Sequence, residues 1–195
     1  MSVSTQKKER YERHDQESAY ASPWSRKERL RMLGWGIAWS LLCKGTPKPF
    51  NTWRLFWLKR FGCTIYGKPF VHQKAQITKP WNLILHDRAC LGEGAVAYTL
   101  GEIEIKARAT IAQEVYLCTG SHDFSHADIP LVTAKITIEE DAFVGARAFV
   151  LPGITIGEGG VIGAASVVTH STPKGFICAG NPCKPLKYRE VRESL

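Results

Sequence analysis

Little in this chain supports a membrane span. The apolar run with the best claim, Met32–Cys43, covers about twelve residues where a crossing helix needs about twenty. No small-residue cleavage site follows it, so it does not read as an export signal and a reducing compartment is expected. The six cysteines, Cys43, Cys63, Cys90, Cys118, Cys178 and Cys183, form no Cys-x-x-Cys pair and share no regular spacing. They read as small apolar side chains, and nothing next to Cys118 in sequence would lower its pKa enough to make it a nucleophile. A nucleic-acid motif is missing too, so the formal net charge of +8 does not by itself mark a nucleic-acid binder.

Also missing is the period-two alternation of an ordinary β-sandwich. In its place Ile138, Val144, Val150, Ile156, Ile162 and Val168 stand at intervals of six. Three six-residue sides per coil make a parallel β-helix. Gly145, Gly157 and Gly163 each follow a repeat position, where a side chain would crowd a corner. Ala142, Ala148, Gly160 and Ser166, two residues before repeat positions, are narrow enough for a tight prism interior. The frame runs back in three registers: Ile65, Val71, Ile77 and Leu83; Leu85, Leu91, Ala97 and Ile103; and Ile105, Ile111 and Leu117. Each of the first two shifts of register, Leu83 to Leu85 and Ile103 to Ile105, is two residues, which a looser corner absorbs. Between Leu117 and Ile138 the polar stretch 118–135 interrupts a coil as a protruding loop.

Charge is unevenly shared. Residues 1–68 carry fourteen Lys/Arg against five Asp/Glu, net +9, and residues 69–195 carry twelve against thirteen, net −1. The expected organisation is a polar, mobile segment 1–23, a helical Trp-rich and basic arm 24–62, a β-helix 63–180 with its loop, and a tail 181–195. Ser25 is a candidate N-cap with Glu28 completing a capping box, and Leu30, Leu33, Ile37 and Leu41 recur at helical spacing over 24–43. A second helix is expected over Thr52–Phe61, after Pro47-Lys48-Pro49. Trp35, Trp39, Trp53 and Trp57 beside Arg29, Arg31, Arg54, Lys59 and Arg60 suit two roles, capping the open end of the solenoid and contact with an anionic membrane surface.

Chemistry is expected where the repeat breaks, because regular coils are committed to packing. Thr119-Gly120-Ser121-His122-Asp123 opens the loop. A histidine leaving a rigid coil is placed to act as a general base, its charge changing near neutrality and its tautomer fixed by a carboxylate or carbonyl. Hydrogen bonding between loop and coil is the other role open to it.

Tyr116–Asp123, Ile136–Thr169 and Ala179-Gly180-Asn181-Pro182-Cys183-Lys184 resemble the hexapeptide-repeat acetyltransferases, and are most similar to the colanic-acid-biosynthesis type, with maltose- and nodulation-type O-acetyltransferases as wider relatives. The resemblance covers roughly residues 25–188 and includes Pro80-Trp81-Asn82. It implies an all-β, left-handed parallel β-helix with an N-terminal helical arm, working as a homotrimer that moves acetyl from acetyl-CoA to a sugar hydroxyl in surface-glycan synthesis, cytoplasmic or at the inner membrane face. It assigns His122 as the catalytic base, with an oxyanion donor near Gly145 and Ala146. Acetyl-CoA would be held by Phe143, Gly145, Ala146, Gly163, Ala164, Ala165 and Lys184, with Lys187 and Arg189 adding charge. The acceptor would meet Trp81, Asn82, Tyr98, Tyr116 and Asp123. Cys183 stands where such proteins usually carry alanine. Two other functions share the fold: zinc hydration through His86, His122 and His126, which would need three aligned ligands, and non-catalytic assembly. No metal is expected, because His86 and His122 fall on different corners of the repeat and His126 lies in the loop.

Overall fold

A two-residue strand followed by a four-residue corner, as from Phe143–Val144 to Phe149–Val150, explains why the sequence repeats every six. The computed structural model describes residues 11–14 and 21–190; the remainder of the segment expected to be mobile, and residues 191–195, lie outside the described residues. The chain winds through three parallel faces. The first holds Thr64–Ile65, Leu83–Leu85, Ile103–Ile105, Ile136–Ile138 and Thr155–Ile156. The second runs from Phe70–Val71 through Cys90–Leu91, Thr110–Ile111, Phe143–Val144 and Val161–Ile162 to Phe176–Ala179 and the antiparallel Lys184–Tyr188. The third holds Gln76–Ile77, Val96–Tyr98, Tyr116–Cys118, Phe149–Val150 and Val167–Val168.

Pairing registers turn the repeat positions into three inward columns. Ile65, Leu85, Ile105, Ile138 and Ile156 stack on the first face. Val71, Leu91, Ile111, Val144, Ile162 and Cys178 stack on the second, and Ile77, Ala97, Leu117, Val150 and Val168 on the third. Nearly all are fully buried, each large aliphatic side chain worth about 1.5–3 kcal/mol against exposure. Alanines at 89, 95, 109, 142 and 148 and Ser166 fill the narrow corners. The two-residue offsets fall at the corner between the third and first faces, where Ile77 to Leu85 and Ala97 to Ile105 each span two residues more than Val150 to Ile156. Gly145, Gly157 and Gly163 are required by close stacking: a Cβ on Gly145 would sit 2.7 Å from the Ala164 nitrogen, one on Gly157 2.6 Å from the Lys174 nitrogen, and one on Gly163 2.8 Å from the Ala179 Cβ.

Both expected helices form. α1 spans Arg26–Ala38 and continues as a π-turn over Trp39–Cys43, and α2 spans Asn51–Arg60. Ser25 Oγ accepts from the Glu28 amide, but Glu28 does not close a capping box; its carboxylate pairs with the buried Lys79 ammonium at 2.7 Å. Trp35, Trp39 and Cys43 face inward, and the two indoles donate to the Ile77 and Ala75 carbonyls at 2.7 and 3.0 Å, closing the first coil. Arg54 is also buried, donating to Val71, Pro47 and Lys48 carbonyls and to Thr46 Oγ1. Three of the side chains considered for membrane contact, Trp35, Trp39 and Arg54, therefore serve the cap. Leu30, Leu33, Ile37 and Leu41 form the outward stripe, each more than half exposed.

The interrupting loop is a hairpin, not an irregular excursion. Gly120–His122 pairs antiparallel with Leu131–Thr133, and Glu12–His14, within the segment expected to lack structure, adds a third strand.

Candidate active site

His122 stands at the end of the first hairpin strand, exposed, where the chain leaves the corner between the third and first faces. Its Nδ1 lies 2.9 Å from the Ile129 carbonyl oxygen. A carbonyl only accepts, so Nδ1 carries the hydrogen and Nε2 is left with its lone pair. Ile129 itself adopts φ 44°, a left-handed conformation costly for a β-branched residue and held by the Asp123–Pro130 and His126–Ile129 backbone bonds. Asp123 is occupied within the turn: it accepts from the Ser125 amide and hydroxyl and lies 3.0 Å from His126 Nδ1. The Ser125 hydrogen bonds hold its carboxyl below the usual carboxylate range.

Tyr98 and Tyr116 point outward from the third face, and Phe149 continues them, stacked on Tyr116 at 5.0 Å with rings 4° from parallel. Phe149 escaped sequence reasoning, although aligning the coils would have placed it beside Tyr116. Ile129 left no signal, because its contribution is a carbonyl. Trp81 and Asn82, expected at the acceptor, are spent on the fold: Asn82 donates to the Thr99 and Leu100 carbonyls, and Trp81 carries the Arg31 guanidinium 3.9 Å above its ring, two coils from the hairpin. Burial pushes the Cys118 thiol up in pKa, and its Sγ donates to the Gly120 carbonyl.

At the opposite edge of the third face is a second constellation. Gly145-Ala146, Gly163-Ala164-Ala165 and the turn Gly180–Cys183 stack on successive coils at the corner between second and third faces. Gly180 and Cys183 bond to Val167 on either side of the cis Asn181–Pro182 peptide, leaving Lys184 exposed beside Ala179. The Gly145 amide is consumed by the Ile162 carbonyl and that of Gly163 by Cys178. Among the described residues, the amides of Ala146 and Ala164 make no such bond. Phe143, 40% exposed, lies on the second face just before this corner. Arg189 is turned away, donating to the Asp141 and Gly159 carbonyls at a different corner.

No group of three or more metal-binding side chains is gathered among the described residues. His86 bonds Glu104 on the first face and His126 sits against Asp123 in the hairpin turn.

Against this geometry, a family profile described as "Hexapeptide repeat of succinyl-transferase" matches residues 135–170. WcaF of Escherichia coli (strain K12), named for acetyl transfer in colanic acid biosynthesis, is 38% identical over 164 residues, covering 84% of this chain and 90% of that one. The chain belongs to the hexapeptide-repeat acetyltransferase family. Among solved structures, this acetyltransferase fold is similar to a maltose O-acetyltransferase from Clostridium difficile 630, with a TM-score of 0.72 at 23% identity over 86% of this chain and 90% of that one. It is also similar to a hexapeptide-repeat acetyltransferase of Vibrio cholerae O1 biovar eltor complexed with acetyl-CoA, with a TM-score of 0.76 at 18% identity over 88% and 94%.

Proposed function

We propose that this acetyltransferase moves acetyl from acetyl-CoA to a sugar hydroxyl in surface-glycan synthesis, with His122 as general base. The observation that carries the reading is the committed Nδ1 of His122, which leaves the Nε2 lone pair as a proton acceptor. The acceptor hydroxyl gives its proton to Nε2 as its oxygen forms a bond to the thioester carbonyl carbon, and the carbonyl π electrons move onto oxygen. Collapse of that oxyanion breaks the C–S bond, and the CoA sulfur leaves with the proton returned from Nε2. The Ala146 amide, free of an internal partner, is the donor suited to the oxyanion.

The acetyl-CoA site is the small-residue corner of Gly145, Ala146, Gly163, Ala164 and Ala165, with Phe143 as aromatic wall and Lys184 against phosphate. Tyr98, Tyr116 and Phe149 offer flat apolar surface to a sugar ring, and Asp123 shapes the hairpin turn beside it.

His122 and the acetyl-CoA corner flank opposite edges of one face, so the working unit is a homotrimer in which the hairpin of one copy meets the corner of the next. The third face suits burial between copies, since Val96, Tyr98, Tyr116, Cys118, Phe149, Leu151 and Val167 are uncharged and only partly covered. The first face instead carries Glu104, His86, Lys106 and Glu139 in ion pairs.

No helix among the described residues is long and apolar enough to cross a membrane. The outward stripe Leu30, Leu33, Ile37 and Leu41, with Phe50, Trp53 and Phe56, supports a site of action at the cytoplasmic face of an anionic bilayer. Lys27, Arg29, Lys44, Lys59 and Arg60 are exposed and form no ion pair among the described residues. Glu28, the one acidic residue between positions 24 and 68, is drawn onto Lys79.

The test is CoA release from acetyl-CoA with free sugars, nucleotide sugars and lipid-linked oligosaccharides. His122→Ala should lower kcat by about 10²–10⁴ with acetyl-CoA affinity unchanged. Near-normal turnover in that variant defeats the assignment.

A further inference from the structure

The hairpin that carries His122 has strands of only three residues, and it stands off the solenoid instead of joining a face. A two-stranded hairpin is marginal in water, and a third strand or a packed partner is what makes it persist. Here the third strand comes from the other end of the domain. Glu12, Arg13 and His14 pair with Thr133, Val132 and Leu131, which pair in turn with Gly120, Ser121 and His122. His14, the buried Leu131 and His122 therefore lie in one row across the sheet.

Tyr11, Arg13 and His14 add side-chain contacts to this pairing. His14 Nε2 lies 2.9 Å from Thr133 Oγ1, and its ring packs 4.9 Å from that of Trp24. Trp24 is held in turn by the Lys79 ammonium, from the first coil of the solenoid. Arg13 reaches Asp128 at 3.6 Å, next to the Ile129 whose carbonyl fixes the His122 ring. The Tyr11 hydroxyl donates to the Pro152 carbonyl, on the following coil's corner. The contacts thus span the hairpin's outer strand, its tip and the solenoid below it.

We propose that the Glu12–His14 strand is a positioning element for catalysis, holding the Leu131–Thr133 strand and the Ile129 carbonyl so that His122 Nε2 keeps one direction. This rests on the reading of His122 as the base. Tyr11 and His14 are positioning residues that act through the hairpin and touch no reacting atom.

The experiment compares the protein with a variant lacking residues 1–14 and with the single variants His14→Ala and Tyr11→Phe. Amide exchange of the hairpin strands is read beside kcat and the KM for acetyl-CoA. The deletion should lower hairpin protection about tenfold or more while leaving the solenoid amides unchanged. It should cut kcat by about 10- to 100-fold, the scale of a misdirected catalytic group, with the KM for acetyl-CoA unaltered. A synthetic peptide of residues 1–20 should restore kcat saturably. The single variants should move the same two readouts by less, and they decide the matter if the deletion does not fold. Unchanged hairpin protection with unchanged kcat overturns the proposal, as does a raised KM with kcat intact. If His122→Ala itself retains turnover, the base assignment fails separately, and hairpin exchange still decides whether the strand holds the loop.

Discussion

A histidine becomes a directional base only when one ring nitrogen is committed, and in this chain the commitment is made by a backbone carbonyl. A neighbouring carboxylate would add charge as well as orientation. With a carbonyl the imidazole is fixed by geometry alone. Asp123 supplies a pH effect. Its folded carboxyl titrates below its ordinary value because Ser125 donates to it, so the ordering it gives the turn is present above the ordinary carboxylate range and is lost as pH falls through the lower folded value. Exchange protection of the Ser125 amide should therefore hold down to mild acid and collapse below it, and Asp123→Asn should remove that acid dependence. Protection that fades already near neutrality would contradict the assignment. Lys184 should behave unlike His122. A phosphate contact is the same in ground and transition states, so Lys184→Ala should raise the KM for acetyl-CoA and spare kcat. Loss of kcat instead would place Lys184 at the reacting centre.

At the scale of elements, the sequence disclosed the solenoid better than the arm. A six-residue period constrains every coil at once, so the columns, corners and two-residue slips were readable from Ile65 to Val168 without coordinates. Helical spacing in the arm showed where α1 runs but not which side faces in, because Trp35, Trp39 and Cys43 repeat at the same interval as Leu33, Ile37 and Leu41 on the other side. Hydrogen bonding decides it: each indole N–H finds a carbonyl of the first coil, which leucine could not satisfy. The strand at Glu12–His14 was invisible for a different reason, since its polar residues pair with a hairpin that itself has no apolar face to advertise. Two expectations follow for the arm. Arg54→Met should destabilise the domain by about 2–4 kcal/mol in urea unfolding, because the carbonyls that Arg54 holds would lose a charged donor. Leu33→Glu with Ile37→Glu should abolish co-sedimentation with vesicles containing anionic phospholipid, and wild-type binding should weaken as salt rises. Absence of wild-type binding at low salt would remove the membrane reading, and dissociation of the trimer by the same pair would assign the stripe to contacts between copies.

For the whole molecule, the decisive relation is between two corners of one prism. All third-face strands run parallel from the Gly145–Ala148 side to the hairpin side, and a strand rise of about 3.3 Å per residue over four or five residues puts the two corners about 15 Å apart. Proton transfer needs the base within hydrogen-bond reach of the acceptor hydroxyl, and a thioester seated at the small-residue corner of the same copy faces away from its own hairpin. In the proposed homotrimer, rotation about a threefold axis would remove the conflict by bringing one copy's hairpin to the next copy's corner. Sequence could place both sets of residues but not this relation, which depends on which face each occupies. It can be tested without a structure of the assembly. His122→Ala removes the base, and Ala164→Trp fills the exposed acetyl-CoA corner, so each homotrimer should be inactive. Unfolding and reassembling the two variants together in equal amounts should restore activity, because random mixing pairs an intact hairpin with an intact neighbouring corner in about a quarter of sites. Mixed trimers that stay as inactive as their parents would show that each site is built within a single chain.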